Sequence, residues 1–310
     1  MSFAVICSGQ GAQTPDLFRK FPFTDKGLAL QQRILDAGSL APEVAGWLTN
    51  PENPPADIYK NHFSQPLLCL YQMMVWAELS VPKPHLFAGY SLGELSAYGC
   101  TGALSPEDVI RLAGLRARAM DAAGAGQLVA VTGLAVDKAK AVAAPGSGYV
   151  AIVLGADHCV IGCPANGGAA IGEALRAAGA ATAAVLAVSV PAHTPLLDAA
   201  VEPFREALRQ VSWLAPKSPI LAGINATKVL NQEQMLQSLP EQIHQTVRWD
   251  LVERRLAEEE CHVVLELGPG RQLAHALLGG SSQIEARSAE EFRSADGIAA
   301  WVERSLERFA

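Results

Sequence analysis

The sequence predicts an α/β protein with two parts: an α/β-hydrolase-like large domain on a parallel sheet, and a ferredoxin-like small domain inserted into it. Three observations lead there. Short apolar runs alternate with stretches of helical length over most of the 310 residues, the order from which parallel strands covered by helices are built. GYSLG (89–93) sets a serine between two glycines where the apolar run LFA gives way to a helical pattern, as in a sharp strand-to-helix turn. Between residues 125 and 190 the texture becomes alanine-rich and reads βαββαβ.

Taken in order, FAVICS (3–8) is a strand that stops at Gly9. WLTNPENPPADIY is a proline-rich loop holding His62 at its far side, and Pro66 to Leu79 is an apolar helix with the proline at its start. Leu86 to Ala88 form a brief strand and Leu92 to Cys100 a helix. Ser105-Pro106-Glu107-Asp108 supplies a cap, a first-turn proline and two acids to the next helix. The inserted unit comprises strand LVAVTGL, helix VDKAKAVAA, strands YVAIVLG and HCVIGC, helix GAAIGEALRAAG and strand TAAVLAVSV. The large domain (1–124) then resumes over 191–310 with a helix from Pro195, the strand HVVLELG and a last amphipathic helix. In that helix Ile298, Trp301, Val302, Leu306 and Phe309 share one face.

Composition excludes several classes. Half of the residues are apolar, enough for a sizeable core, and the formal charge of −7 comes without a dense basic run, so nucleic acid is not expected as a partner. The first apolar run has no basic residue before it and stops at Ser8, and no segment reaches the ~20 apolar residues of a membrane span. A cytoplasmic protein without membrane contact is the expectation. Cysteines 7, 69, 100, 159, 163 and 261 show no CxxC spacing and read as buried thiols, not as metal ligands or disulfides.

A serine nucleophile needs a base, donors for the oxyanion and a means of recognising the acyl group. Of seven histidines, His193 in SVPAHTPLL is the best placed, directly after a strand and before Thr194-Pro195, where a helix N-terminus disfavours the imidazolium. His85, His62, His158, His262, and His244 and His275 in helices, are not aimed at a site. Arg116 lies on the apolar stripe of its helix with Val109, Leu112, Ala113 and Met120, so it is buried and must be paired. Its partner is either an internal carboxylate or that of a ligand. Gly9-Gln10-Gly11 is a poor dinucleotide fingerprint, because Thr14 stands at the third glycine's place; a glutamine between glycines can instead offer its side chain or N–H to a neighbouring strand tip.

Together SGQGAQ, GYSLGE, LRARAM, VPAHTPLL, QIHQTVRW and ELGPG resemble, in order and spacing, the malonyl-CoA:acyl carrier protein transacylases over nearly the whole chain. The resemblance implies that Ser91 is acylated and that His193 is its base. It implies an oxyanion hole of Gln10 and the Leu92 N–H, a malonate carboxylate held by Arg116, and Gln242 in support of His193. Malonyl-CoA is then the substrate, no cofactor is bound permanently, and an acyl carrier protein is the partner. Tyr90, Ala192, Leu154 and Thr246 stand where the fatty-acid branch has His, Phe, Asn and Pro. In these features the chain looks more like the epsilon subunit of bacterial malonate decarboxylase, which implies a carrier with a phosphoribosyl-dephospho-CoA group. Arg248, Arg254 and Arg255 are candidates for docking that carrier.

Two rival readings stay open. An α/β-hydrolase esterase shares GxSxG but wants an acid and then a histidine near the C-terminal end, and an HGG-type loop. A non-catalytic subunit that only binds a carrier would keep the cleft without the chemistry.

Overall fold

The structure, a computed structural model, describes residues 2–50, 58–280 and 284–309. The chain runs β1 (Ser2–Cys7), α1 (Asp25–Asp36), α2 (Pro42–Thr49), α3 (Asn61–Glu78), β2 (Leu86–Gly89), α4 (Gly93–Cys100) and α5 (Pro106–Ala123). It continues with β3 (Gly126–Thr132), α6 (Val136–Ala143), β4 (Tyr149–Gly155), β5 (His158–Pro164), α7 (Gly168–Ala177) and β6 (Thr182–Val185). Then follow α8 (Asp198–Arg209), β7 (Ile220–Leu221), β8 (Lys228–Val229), α9 (Gln232–Ser238), β9 (Val247–Arg248) and α10 (Trp249–Glu258). The last elements are β10 (Cys261–Glu266), α11 (Gln272–Gly280), β11 (Glu285–Ser288) and α12 (Ala295–Arg308).

Two sheets organise these elements. The larger has the order β11-β10-β1-β2-β7-β8, parallel except where β8 turns back on β7. The smaller has the order β6-β3-β5-β4-β9, with β3, β4, β5 and β6 paired antiparallel. Its first four strands make the ferredoxin-like arrangement, and β9, from far beyond residue 190, adds a parallel fifth strand beside β4.

Period-two alternation decides which core each side chain enters. On β1, Phe3, Val5 and Cys7 join the cluster beneath α1, α3, α5, α8 and α12, while Ala4 and Ile6 face the other way. That second cluster also holds Leu128, Ile152 and Val160 from the smaller sheet, so one apolar layer joins both sheets. Cys159, Ile161 and Cys163 point instead to α6 and α7, with Ile171 and Leu175. All six cysteines are buried and unpaired.

Several local expectations change. Helix α3 begins at Asn61, so Pro66 lies inside it and His62 is helical, not in a loop. The missing Pro66 N–H falls one turn in, and polar side chains of that first stretch are held by tertiary bonds described below. Of the proline-rich loop, Trp47 to Thr49 end α2, and 51–57 lie outside the described residues. The strand expected through Val190 ends at Val185. Pro195 opens a single 3₁₀ turn before α8, and His244 closes another such turn, where it bonds Asp198 and Glu241. Ser105 does cap α5, accepting from the Asp108 N–H at 3.1 Å. Among the described residues no helix is long and apolar enough to cross a membrane.

Candidate active site

β1 and β2 lie side by side, and the loops at their carboxyl ends bring SGQG beside GYSLG. Such loops at the carboxyl edge of parallel strands are where α/β folds hold ligands. Ser91 sits in the left-handed region, with φ 55°, at the tip of the turn into α4. The glycines on either side of the turn are required by contact as well as by bending. A Cβ on Gly89 would come within 1.9 Å of the Glu94 nitrogen, and one on Gly93 within 2.1 Å of the Cys7 carbonyl oxygen. The GxSxG spacing thus lets β2 fold back on α4 while α4 packs against the end of β1.

His193 is buried and also strained, with φ 64°. Its N–H donates to the Ile243 carbonyl at 2.8 Å. Its Nε2 lies 2.7 Å from Ser91 Oγ, and its Nδ1 meets the Gln242 carbonyl oxygen. A carbonyl can only accept, so Nδ1 carries the proton and Nε2 is left to accept from the serine. Burial, with Arg116 nearby as a second cause, pushes the His193 pKa down to about 3, only partly opposed by the Gln242 carbonyl. Desolvation and a cation, more than the helix N-terminus expected from sequence, keep the ring neutral.

Arg116, from α5, is 1 % exposed. Its Nη1 donates to Gln65 Oε1 at 3.0 Å and its Nη2 to Gln242 Oε1 at 3.3 Å. Both partners are neutral amides, so of the two partners open to it an internal carboxylate is not the one in direct contact. Burial lowers its pKa to about 10, and it remains a cation at neutral pH. Gln242 therefore touches both centres, His193 through its backbone carbonyl and Arg116 through its side chain.

Gln10 commits its side-chain amide to Asn61 Oδ1 at 3.0 Å, and Asn61 in turn donates to Asp121 at 2.6 Å. The backbone N–H groups of Gln10 and Leu92 have no partner among the described residues. Gly9 is close enough to the nucleophile that an added Cβ would lie 3.6 Å from Ser91 Cβ. A cavity of about 560 Å³ opens beside Gln10, between Tyr59 and Asn61 on one side and Leu186 to Ser189 on the other.

Sequence reasoning missed three participants. Gln65 and Asn61 lie in the first part of α3, ahead of Pro66, where the helix was expected to begin. Glu94, three residues after Ser91, is buried, and its Oε2 accepts from Gln242 Nε2 at 2.6 Å and from the Gly223 N–H at 2.8 Å. Burial raises its pKa to about 7, against the lowering pull of Gly223, Gln242 and Arg116. Two of the three arginines named for docking a carrier are paired with acids. Arg248 is tied to Asp250, and Arg255 to Glu258 and Glu259, while Arg254 has no ion pair among the described residues.

A parallel sheet with a serine–histidine pair at its carboxyl edge is an arrangement of enzymes that handle acyl groups, hydrolases and transferases alike. The acyl transferase domain family matches residues 5–301, and the chain belongs to that family: it is an acyltransferase. It is 28% identical over 287 residues to the malonyl CoA-acyl carrier protein transacylase of Escherichia coli K12, covering 87% of this chain and 90% of that one. With the protein of the same name from Haemophilus influenzae it shares 29% identity over 87% of this chain and 89% of the relative. Among solved structures, an acyl-carrier-protein-S-malonyltransferase from Bartonella henselae superposes with a TM-score of 0.86 at 25% identity, covering 99% and 100% of the two chains. A complex of a type II PKS acyl-carrier protein with its malonyl-transacylase gives 0.83 at 26% identity, covering 98% and 100%.

Proposed function

We propose that this acyltransferase moves malonyl from malonyl-CoA, through an acyl-enzyme on Ser91, to the prosthetic-group thiol of an acyl carrier protein. The observation that carries the reading is Arg116: a buried guanidinium, linked through Gln242 to the serine–histidine pair, whose hydrogen-bond partners are two neutral amides. No anion is in direct contact with this cation among the described residues, and the free carboxylate of malonate has the charge and the shape for a bidentate pair.

In the first half, His193 Nε2 takes the Ser91 proton as Oγ attacks the thioester carbonyl, and the Gln10 and Leu92 amides receive the oxyanion. The carbon–sulfur bond breaks, and the CoA sulfur leaves as a thiol with the proton from Nε2. In the second half, the carrier thiol gives its proton to Nε2 and attacks the acyl-serine, and Ser91 leaves as the hydroxyl. The absence of an acid on His193 Nδ1 argues against the esterase reading, whose triad needs one. No cofactor takes part; the names of the relatives point to the same substrate and partner.

Which carrier is loaded divides the reading in two. The relatives' names favour an ordinary acyl carrier protein bearing phosphopantetheine. Tyr90, Ala192, Leu154 and Thr246 favour the carrier of malonate decarboxylase, with its longer phosphoribosyl-dephospho-CoA arm. In the structure Tyr90 packs edge-on against Trp249 at 5.4 Å in the apolar layer that joins the two sheets, and Thr246 Oγ1 donates to the Val150 carbonyl beside the pairing of β4 with β9. The test is malonyl transfer from malonyl-CoA to each purified holo-carrier at limiting concentration. Faster loading of the longer arm supports the decarboxylase reading; equal or faster loading of the phosphopantetheine carrier removes it and leaves the transacylase; loading of neither contradicts both.

A further inference from the structure

Arg116 is buried, and the charge that offsets it is not in contact with it. Glu94 stands one side chain back, with Gln242 between them: Arg116 Nη2 donates to Gln242 Oε1, and Gln242 Nε2 donates to Glu94 Oε2. The amide has one orientation that satisfies both neighbours, since its oxygen can only accept and its nitrogen only donate. The Gly223 N–H, donating to the same Glu94 oxygen, fixes the carboxylate from the other side. Glu94 Oε1 is buried without a hydrogen-bond partner among the described residues, so the group is not held there by its own full satisfaction.

A direct Arg116–carboxylate pair would neutralise the guanidinium and occupy the fork that a ligand carboxylate needs. A carboxylate at one remove offsets the buried cation and leaves the fork to neutral amides, which a stronger acceptor displaces. The same Gln242 whose side chain is locked by Glu94 supplies the carbonyl that fixes the His193 tautomer.

We propose that Glu94 is a positioning and specificity-setting residue of the acyl transfer, acting through Gln242 on Arg116 and on His193. This inference rests on the reading of Ser91, His193 and Arg116 given above. It makes two separable claims: the hydrogen bond to Gln242 sets the rate of Ser91 acylation, and the negative charge sets how strongly the site prefers an acyl group with a free carboxylate.

The experiment measures the single-turnover rate of Ser91 acylation, which does not depend on the fraction of active protein, with malonyl-CoA and acetyl-CoA at pH 8. Glu94→Ala removes acceptor and charge, and the rate with both thioesters should fall by about ten- to hundredfold, the weight of one hydrogen bond to a charged group. Glu94→Gln keeps an oxygen for Gln242 and Gly223 and removes only the charge. It should restore the rate to within about threefold of wild type, while the malonyl-to-acetyl ratio of kcat/KM rises about three- to tenfold because the field of Arg116 is no longer offset. On a Gln242→Ala background, Glu94→Ala should add little further loss. A structural role alone would lower the unfolding midpoint of both variants and leave these rates and ratios unmoved, which overturns the proposal, as does full additivity with Gln242→Ala. If Glu94→Ala yields no folded protein, Glu94→Gln decides alone: an unchanged malonyl-to-acetyl ratio overturns it. Wild-type protein is the control for the underlying reading. If wild type takes no malonyl on Ser91, that reading has failed; if it does and the Glu94 variants match it, only this inference has.

Discussion

Arg116 carries the acyl specificity of the account, and its removal is the sharpest test at the scale of one side chain. Arg116→Ala should weaken malonyl transfer by about 2–4 kcal/mol more than acetyl transfer, the cost of deleting one member of a buried, hydrogen-bonded charge pair. Equal losses for both acyl groups, measured as kcat/KM, would assign the arginine to the fold alone. His193 gives a second test. With its pKa lowered to about 3 by burial and Arg116, the ring should remain neutral with the proton on Nδ1 at pH 6, where an exposed imidazole is largely charged. Nitrogen NMR of labelled histidine reads this directly, and a His193 imidazolium at pH 6 would contradict it. The sign for stability follows: the folded state resists protonating this ring, so its contribution is complete above about pH 6.5 and is lost as pH falls toward 3. Ser91, His193 and Arg116 were legible because each breaks a local pattern: a serine among glycines, a histidine at a strand end, an arginine on an apolar stripe. Glu94 breaks none. It sits in the first turn of a helix, where an acid is ordinary, and only the fold shows that Gln242 is above it.

At the scale of elements, the turn from β2 to α4 is the part that sequence and structure explain in the same terms. Gly93→Ala would drive a methyl into the Cys7 carbonyl, backbone that cannot move without shifting β1. It should cost at least about 2 kcal/mol in urea unfolding and displace Ser91 from His193. An unchanged midpoint would show that β1 yields more easily than its pairing with β2 and β10 suggests. Long periodic elements were readable: α5 from its cap and first-turn proline, α12 from the stripe that buries Ile298, Trp301 and Val302. Short or polar ones were not. β7, β8 and β9 are two residues each and exist only because a neighbour pairs with them. β11 alternates Glu285 and Arg287 with Ala286 and Ser288, too little apolar surface to stand out, and is secured by Trp301 and Arg308 donating to Glu285. The start of α3 was hidden by Pro66, although the five residues ahead of it include Asn61 and Gln65, which steady Gln10 and Arg116.

For the whole molecule, one apolar layer between the two sheets sets where acyl chemistry can occur, because it seats the carboxyl edge of the large sheet against strands of the small one. The order of the small unit was legible from βαββαβ, but the addition of β9 was not, since nothing local marks Val247 and Arg248 as partners of β4. The net charge of −7 offers no general attraction to an acidic partner, and Arg248 and Arg255 are tied to neighbouring acids. The central claim is that this assembly passes malonyl through Ser91. Intact-mass measurement after mixing the protein with malonyl-CoA tests it most directly. The account predicts one malonyl adduct per chain, located on Ser91 by peptide mapping, discharged by a thiol carrier and absent from Ser91→Ala. An adduct that persists in Ser91→Ala, or no adduct on the folded wild-type protein, would contradict it.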